Sequence, residues 1–63
     1  MIKIAVDAMG GDNAPGEIVK GAVDAVTERN DIRVCLTGQK DVIEKELSKY
    51  TYKKDQIEIV DAP

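Results

Sequence analysis

The chain has 63 residues, one cysteine, no histidine and no tryptophan, so it has neither the disulfides nor the histidine-bearing metal clusters that usually stabilise small independent domains. Its net charge is −3, and nine basic residues are spread evenly among twelve acidic ones. This pattern provides no basic stripe for nucleic acid and no polybasic segment for anionic lipid, and nucleic acid is not an expected partner.

The first two elements are predicted to be a strand and a helix. Residues 2–7, IKIAVD, place three β-branched apolar side chains on one side of a strand. Gly10 and Gly11 then end regular structure. From Pro15 to about Arg29, apolar residues recur at helical spacing, which predicts an amphipathic helix with proline at its first position.

Three further elements follow along the chain. Residues 32–38, IRVCLTG, predict a second strand, residues 40–50 a shorter amphipathic helix, and residues 56–60 a third strand. Strands joined through helices run parallel with right-handed crossovers, and such sheets carry helices on both faces. The charged residues of the second helix, including Glu46, and the segment YKKDQ over residues 52–56 are predicted to lie in solvent.

The short length of the chain and the strand predicted at its last residues determine the predicted domain organisation. A chain this short buries only about 60% of the surface that its unfolded form exposes, and its last strand has nothing after it to cover it. Residues 1–63 are therefore interpreted as the incomplete N-terminal portion of a single larger α/β domain.

Two features point to a reducing, cytoplasmic location. The polar residues Lys3 and Asp7 interrupt the first apolar run, which excludes a secretory signal or membrane span there. Cys35 lies within the apolar second strand, so we expect a small buried hydrophobe with no catalytic role.

The loop after the first strand is the main candidate for chemistry. The stretch VDAMGGDNAP, residues 6–15, leaves the carboxyl end of a predicted parallel strand, which is where such sheets bind ligands. Main-chain N–H groups and the start of the following helix favour an anion, of which phosphate is the commonest. The glycines at 10, 11 and 16 fit neither the dinucleotide fingerprint nor the P-loop, so NAD, ATP and GTP are not expected.

Two carboxylates, Asp7 and Asp12, complicate a simple phosphate cradle, because a carboxylate about 4 Å from a phosphate dianion repels it by several kcal/mol. Either could hold a cationic side chain from elsewhere, orient a substrate proton or accept hydrogen bonds from the turn's own amides. The spacing leaves open a structural turn, a phosphate or phosphoryl site, and a metal site. The metal site ranks last because no histidine or third nearby ligand supports it.

The sequence resembles a known family at these same residues. The stretch KIAVDAMGGDNAP is followed by a predicted helix and by a strand that ends in Leu36, Thr37 and Gly38. This arrangement is similar to the start of the bacterial phosphate acyltransferases of phospholipid synthesis, the PlsX family. The agreement is continuous over residues 7–15. Thr37 stands where the family more often has valine, and Asn13 where many relatives have histidine. The chain corresponds only to the first part of such an enzyme.

The resemblance implies a fold and an activity. The fold is a three-layer α/β/α sandwich with a mostly parallel sheet, like the phosphotransacetylases and the isocitrate and isopropylmalate dehydrogenases. It is assembled as a homodimer and involves no redox cofactor. The activity is transfer of a long-chain acyl group from acyl carrier protein to inorganic phosphate. The acyl phosphate then serves a membrane glycerol-phosphate acyltransferase, with the enzyme in the cytoplasm at the inner face of the membrane.

Carried onto this chain, the resemblance implies site residues. Asp12 and Asp7 are the expected catalytic residues, and Gly10, Gly11 and Asn13 are expected to bind phosphate. Asp12 is expected to position a protonated phosphate oxygen or a cationic partner, and Asp7 to fix the loop. The alternatives are a non-catalytic phosphate-binding α/β module and a short-chain acyl-coenzyme A phosphate acyltransferase. The 63 residues alone are expected to be inactive.

Overall fold

The computed structural model describes residues 2–12 and 14–62. They form three strands and two helices: β1 (Ile2–Asp7), α1 (Gly16–Glu28), β2 (Ile32–Gly38), α2 (Lys40–Leu47) and β3 (Ile57–Asp61), with a 3₁₀ turn (Lys54–Gln56) before β3. The strand, helix, strand, helix, strand order predicted from the sequence is confirmed. Neither helix in this part of the chain is long and apolar enough to cross a membrane.

The three strands form one all-parallel sheet in the order β1-β2-β3. Ile4 lies opposite Val34, and Leu36 lies opposite Ile59. Because the strands run in the same direction, their carboxyl ends meet at one edge of the sheet. The glycine loop, the β2–α2 connection and the end of β3 therefore all lie at this edge.

Both helices cover the same face of the sheet. Side chains of α1 and α2 join alternate residues of β2 in one buried cluster, in which Val19, Leu36 and Ile43 are fully buried. Two right-handed crossovers that add strands in the same direction place both helices on one face. The described residues thus supply the sheet and one helical layer of the α/β fold, and the helices expected on the second face have no counterpart among them.

The opposite face of the sheet carries an ion pair above the central strand. The Lys3 Nζ lies 3.3 Å from the Glu58 Oε2, and these residues belong to β1 and β3, on either side of β2. Cys35 lies opposite Glu58 in the register and is 6% exposed, so the predicted burial of the cysteine is confirmed.

Element ends differ from the prediction by a few residues. Pro15 precedes α1 as its N-cap, and the Val19 N–H donates to its carbonyl oxygen at 2.9 Å. The second helix ends at Leu47, because the Ser48 hydroxyl and the following amides turn back onto the last carbonyls of the helix.

Two side chains predicted to lie in solvent do not. Gln56 is 3% exposed, and its Nε2 donates to the carbonyl oxygens of Arg29, at 2.8 Å, and Ile32, at 3.0 Å. The Glu46 side chain is 19% exposed and pairs with the Lys49 Nζ at 3.0 Å. Gln56 satisfies carbonyl groups that are distant in the sequence, which the local charge pattern does not show, whereas Glu46 pairs within its own helix end.

Candidate functional site

A cleft of about 410 Å³ lies at the carboxyl edge of the sheet. Its walls come from the ends of all three strands, and the residues that line it are Asp7, Met9, Thr37, Gly38, Gln39 and Ala62. Parallel strands, as predicted from the sequence, have their carboxyl ends at one edge of the sheet, and the structure brings Asp7 into the cleft there.

Asp7 fixes the start of the glycine loop. Its Oδ1 accepts a hydrogen bond from the Met9 N–H at 3.0 Å, which forms an Asx turn. Ala8 follows the strand into the sheet edge, where its N–H donates to the Thr37 carbonyl oxygen at 2.8 Å and its side chain is fully buried. Three roles were considered for the Asp7 carboxylate. The structure shows one of them, in which the carboxylate accepts a hydrogen bond from an amide of its own turn, that of Met9.

The other predicted site residues lie further along the loop. Gly10, Gly11 and Asp12 are exposed and do not line the cleft. Gly11 has a φ of 94°, a left-handed backbone conformation that favours glycine. No other described residue forms a hydrogen bond or ion pair with the Asp12 carboxylate, so that group faces solvent. Asn13 lies outside the described residues.

The contact between Gly38 and Met9 was not found from the sequence. Gly38 has a φ of 151°, and a Cβ at this position would lie 2.5 Å from the Met9 Cγ. The methionine side chain therefore occupies the space that a side chain at Gly38 would need, and it connects the glycine loop to the end of β2. The only signal in the sequence is the glycine itself, which was interpreted as the end of a strand.

The start of α2 is capped from the neighbouring strand. Gln39 is the N-cap residue but makes no capping hydrogen bond through its side chain. Instead the Asp61 Oδ1, at the end of β3, accepts from the Lys40 N–H at 3.1 Å, and the Ala62 N–H donates to the Gly38 carbonyl oxygen at 2.7 Å. A carboxylate of the chain itself thus occupies the anion-binding position at this helix start.

The start of α1 also has a carboxylate nearby. The Glu46 Oε1 lies 3.4 Å from the position that a Cβ on Gly16 would take. A carboxylate next to the first turn of a helix is stabilised by about 0.3–1 kcal/mol through the helix dipole. The Glu46 carboxylate, which also pairs with the Lys49 Nζ, therefore places negative charge near the start of α1.

The electrostatics of the cleft are acidic. None of the described residues that line it is basic, and the carboxylates of Asp7 and Asp61 lie at this edge. Lys40 begins α2 beside the cleft, and its Nζ lies 3.9 Å from the Glu44 Oε1. The chain therefore presents main-chain amides and carboxylates here, and a bound phosphate dianion would need cations from other parts of a larger protein.

Comparison with known proteins identifies the family. A family model described as "Fatty acid synthesis protein" matches residues 2–63. The chain is 51% identical over 61 residues to a phosphate acyltransferase of Clostridium tetani, covering 97% of this chain and 18% of the relative. It is 52% identical over 59 residues to a phosphate acyltransferase of Clostridium acetobutylicum, covering 94% of this chain and 18% of the relative.

A third relative gives the same result. The chain is 52% identical over 61 residues to a phosphate acyltransferase of Clostridium botulinum, covering 97% of this chain and 18% of the relative. The chain thus spans about 18% of the length of these curated relatives. The resemblance inferred from the glycine loop is confirmed, and the chain belongs to the fatty acid synthesis protein family of phosphate acyltransferases.

Proposed function

We propose that these 63 residues are the N-terminal part of an enzyme that transfers a long-chain acyl group from acyl carrier protein to inorganic phosphate. The observation that supports this most directly is the identity of about half of the residues to phosphate acyltransferases over nearly the whole chain. The 63 residues are proposed to be inactive by themselves, because they span about 18% of the length of these relatives.

The reaction is an acyl transfer with phosphate as the nucleophile. A phosphate oxygen attacks the thioester carbonyl carbon, the carbonyl oxygen becomes an oxyanion, and the carbon–sulfur bond then breaks. The products are an acyl phosphate and the carrier thiolate, which takes up a proton. A site for this reaction must hold the phosphate oxygen about 3 Å from the carbonyl carbon and direct N–H donors at the oxyanion.

The glycine loop has the properties that such a site needs. Gly10, Gly11 and Asp12 are exposed at the carboxyl edge of the sheet, where α/β folds bind ligands. We propose that Gly10, Gly11 and Asn13 contact the phosphate. The solvent-facing Asp12 carboxylate positions a protonated phosphate oxygen by accepting its hydrogen bond, or holds a cationic side chain. Asp7 keeps the loop in place by accepting a hydrogen bond from the Met9 N–H.

Substitution of Asp12 tests this assignment in a full-length protein that carries the chain. Asp12→Ala should lower the rate of acyl phosphate formation by about 100-fold, the usual cost of misplacing a reacting group. The melting temperature should change by less than about 2 °C, because exposed side chains contribute little to stability. Asp24→Ala removes an exposed acidic side chain of α1, outside the loop. It is the matched control and should leave the rate of acyl phosphate formation unchanged. Equal activity of Asp12→Ala per folded molecule would contradict the role proposed for Asp12.

The choice of acyl donor separates the proposal from its alternatives. Purified full-length protein should consume a long-chain acyl carrier protein thioester only when phosphate is present, and release one thiol for each acyl phosphate formed. A preference for acetyl- or butyryl-coenzyme A would indicate a short-chain enzyme. Phosphate binding without turnover of any thioester would indicate a non-catalytic module.

The proposal includes partners and location. We propose a cytoplasmic homodimer that associates with the inner face of the membrane and delivers acyl phosphate to a membrane glycerol-phosphate acyltransferase. Sedimentation of the full-length protein, alone and with vesicles of anionic phospholipid, tests these two properties. A monomer that stays in the supernatant would contradict both.

A further inference from the structure

Asp7 and Thr37 are neighbours on adjacent strands, and both line the cleft at the carboxyl edge of the sheet. They lie opposite each other in the register of β1 and β2. Leu36, the residue before Thr37, is fully buried against the helices. Because successive side chains of a strand alternate between the two faces, Thr37 points to the opposite face, and Asp7, its register partner, points the same way. A carboxylate and a hydroxyl therefore stand side by side at the end of the sheet.

Both side chains keep hydrogen-bonding capacity for a ligand. The Asp7 Oδ1 accepts from the Met9 N–H, and no described residue donates to the Asp7 Oδ2. The half-buried Thr37 hydroxyl lies 3.4 Å from the Val6 carbonyl oxygen, near the outer limit for a hydrogen bond. A hydroxyl in so long a hydrogen bond can rotate to a closer acceptor. The pair thus offers a ligand one acceptor, on Asp7, and one donor, on Thr37.

The charge of the cleft favours a neutral ligand. The described residues that line it include no basic side chain, and the Asp61 carboxylate lies at the same edge as that of Asp7. These carboxylates repel an anion that enters the cleft, whereas they do not repel an uncharged polar group. A secondary amide is such a group, and it carries both an N–H for Asp7 and a carbonyl oxygen for Thr37.

Met9 provides an apolar wall beside these polar groups. Its side chain packs on Gly38, is 38% exposed and lines the same cleft. A methionine side chain is flexible and adapts to the shape of alkyl groups. The cleft volume of about 410 Å³ lies within the usual range of small-molecule sites. The cleft therefore fits a flexible chain in which methylene groups and amides alternate.

We propose that this cleft binds an amide of the pantetheine arm of the acyl donor. The Thr37 hydroxyl donates to the amide carbonyl oxygen, and the Asp7 Oδ2 accepts from the amide N–H. This inference rests on the function proposed above, because acyl carrier protein and coenzyme A both carry the acyl thioester on this neutral arm. Phosphate then binds further along the loop, at Gly10 and Gly11, which do not line the cleft. The two substrates thus reach the reacting centre from different sides of one loop.

Thr37→Val in the full-length protein tests this assignment, because valine has the shape of threonine without the hydroxyl. The ligands are S-octyl pantetheine, a thioether that cannot react, and an octyl thioether of triethylene glycol, which has no amide. Calorimetry should show that Thr37→Val raises the Kd of S-octyl pantetheine about five- to tenfold, the loss of one neutral hydrogen bond. The Kd values of the amide-free thioether and of inorganic phosphate should not change.

Thr37→Ser keeps the hydroxyl and is the matched control variant. It should bind S-octyl pantetheine within about twofold of the unsubstituted protein. The proposal would be overturned by an unchanged Kd of S-octyl pantetheine in Thr37→Val, or by an equal rise for both thioethers. It would also be overturned if the unsubstituted protein bound the two thioethers equally, or if Thr37→Val weakened only the binding of phosphate.

The binding measurement does not depend on acyl transfer, so the two proposals can fail separately. A protein that binds S-octyl pantetheine through Thr37 but forms no acyl phosphate from any thioester would reject the proposed function and retain the amide site. A protein that forms acyl phosphate, and in which Thr37→Val leaves the Kd of S-octyl pantetheine unchanged, would reject the amide site alone.

Discussion

Gly38 provides the sharpest test of how the glycine loop is held. Substitution by alanine places a Cβ 2.5 Å from the Met9 Cγ and 3.2 Å from the Ile43 Cδ1. Real Cβ atoms do not approach other atoms as closely as 2.5 Å, so Met9 must move. Because Met9 follows directly on the Asx turn of Asp7, its movement displaces the start of the loop.

Two contributions set the expected loss of stability. The φ of 151° is a conformation that residues with a side chain rarely adopt, and holding alanine there costs about 1–2 kcal/mol. Displacement of Met9 by the added methyl group costs a further 1–3 kcal/mol or so, the usual range for overpacking. Gly38→Ala should therefore lower the free energy of unfolding by about 2–5 kcal/mol.

A double-mutant cycle with Met9→Ala separates these contributions. Met9 is 38% exposed, so loss of its buried part on truncation should by itself cost about 1–2 kcal/mol. In the Met9→Ala background the clash is absent and only the backbone strain remains, so Gly38→Ala should cost about 1–2 kcal/mol. Urea unfolding of the four full-length proteins measures both values. A cost below about 0.5 kcal/mol, or the same cost in both backgrounds, would refute this account of the contact.

Two further predictions concern the amino end of the sheet. Gln56→Ala leaves the carbonyl oxygens of Arg29 and Ile32 without their donor, which should lower the free energy of unfolding by about 1–3 kcal/mol. Gln39→Ala, at an exposed position, is the control and should lower it by less than about 0.5 kcal/mol. The Arg29 Nε donates to the Asp31 Oδ1 at 2.9 Å, and this hydrogen bond holds the pKa of the Asp31 carboxyl below its usual value. The stability that the pair provides is therefore present above the unfolded-state pKa of Asp31. It is lost as the pH falls through the folded-state pKa. Carboxyl titration by NMR should show the Asp31 pKa rising in Arg29→Gln, and an unchanged pKa would contradict the pairing.

The regular elements were predictable because their patterns are local. Alternation in residues 2–7 and helical spacing after Pro15 fix which side of each element is apolar, and the parallel arrangement then follows from the order of elements. Gln56 shows where this reasoning ends. It lies in a charged segment, yet it is buried because two carbonyl groups far away in the sequence need a donor.

The site was predictable to the same extent. The position of Asp7 at the carboxyl edge follows from the strand pattern, and the structure places it in the cleft. The cap that Asp61 provides for α2 and the packing of Met9 on Gly38 depend on distances between separate strands, which local spacing does not encode. Whether Asp12 takes part in chemistry stays a prediction for the substitution experiment.

The carboxylates of Asp7 and Asp61 accept hydrogen bonds from the amides of Met9 and Lys40. These segments are thus held in one conformation beforehand, and an arriving substrate would not have to supply the conformational entropy for ordering them. The same two amides are occupied, so an anion bound at this edge would depend on other donors of the exposed glycine loop.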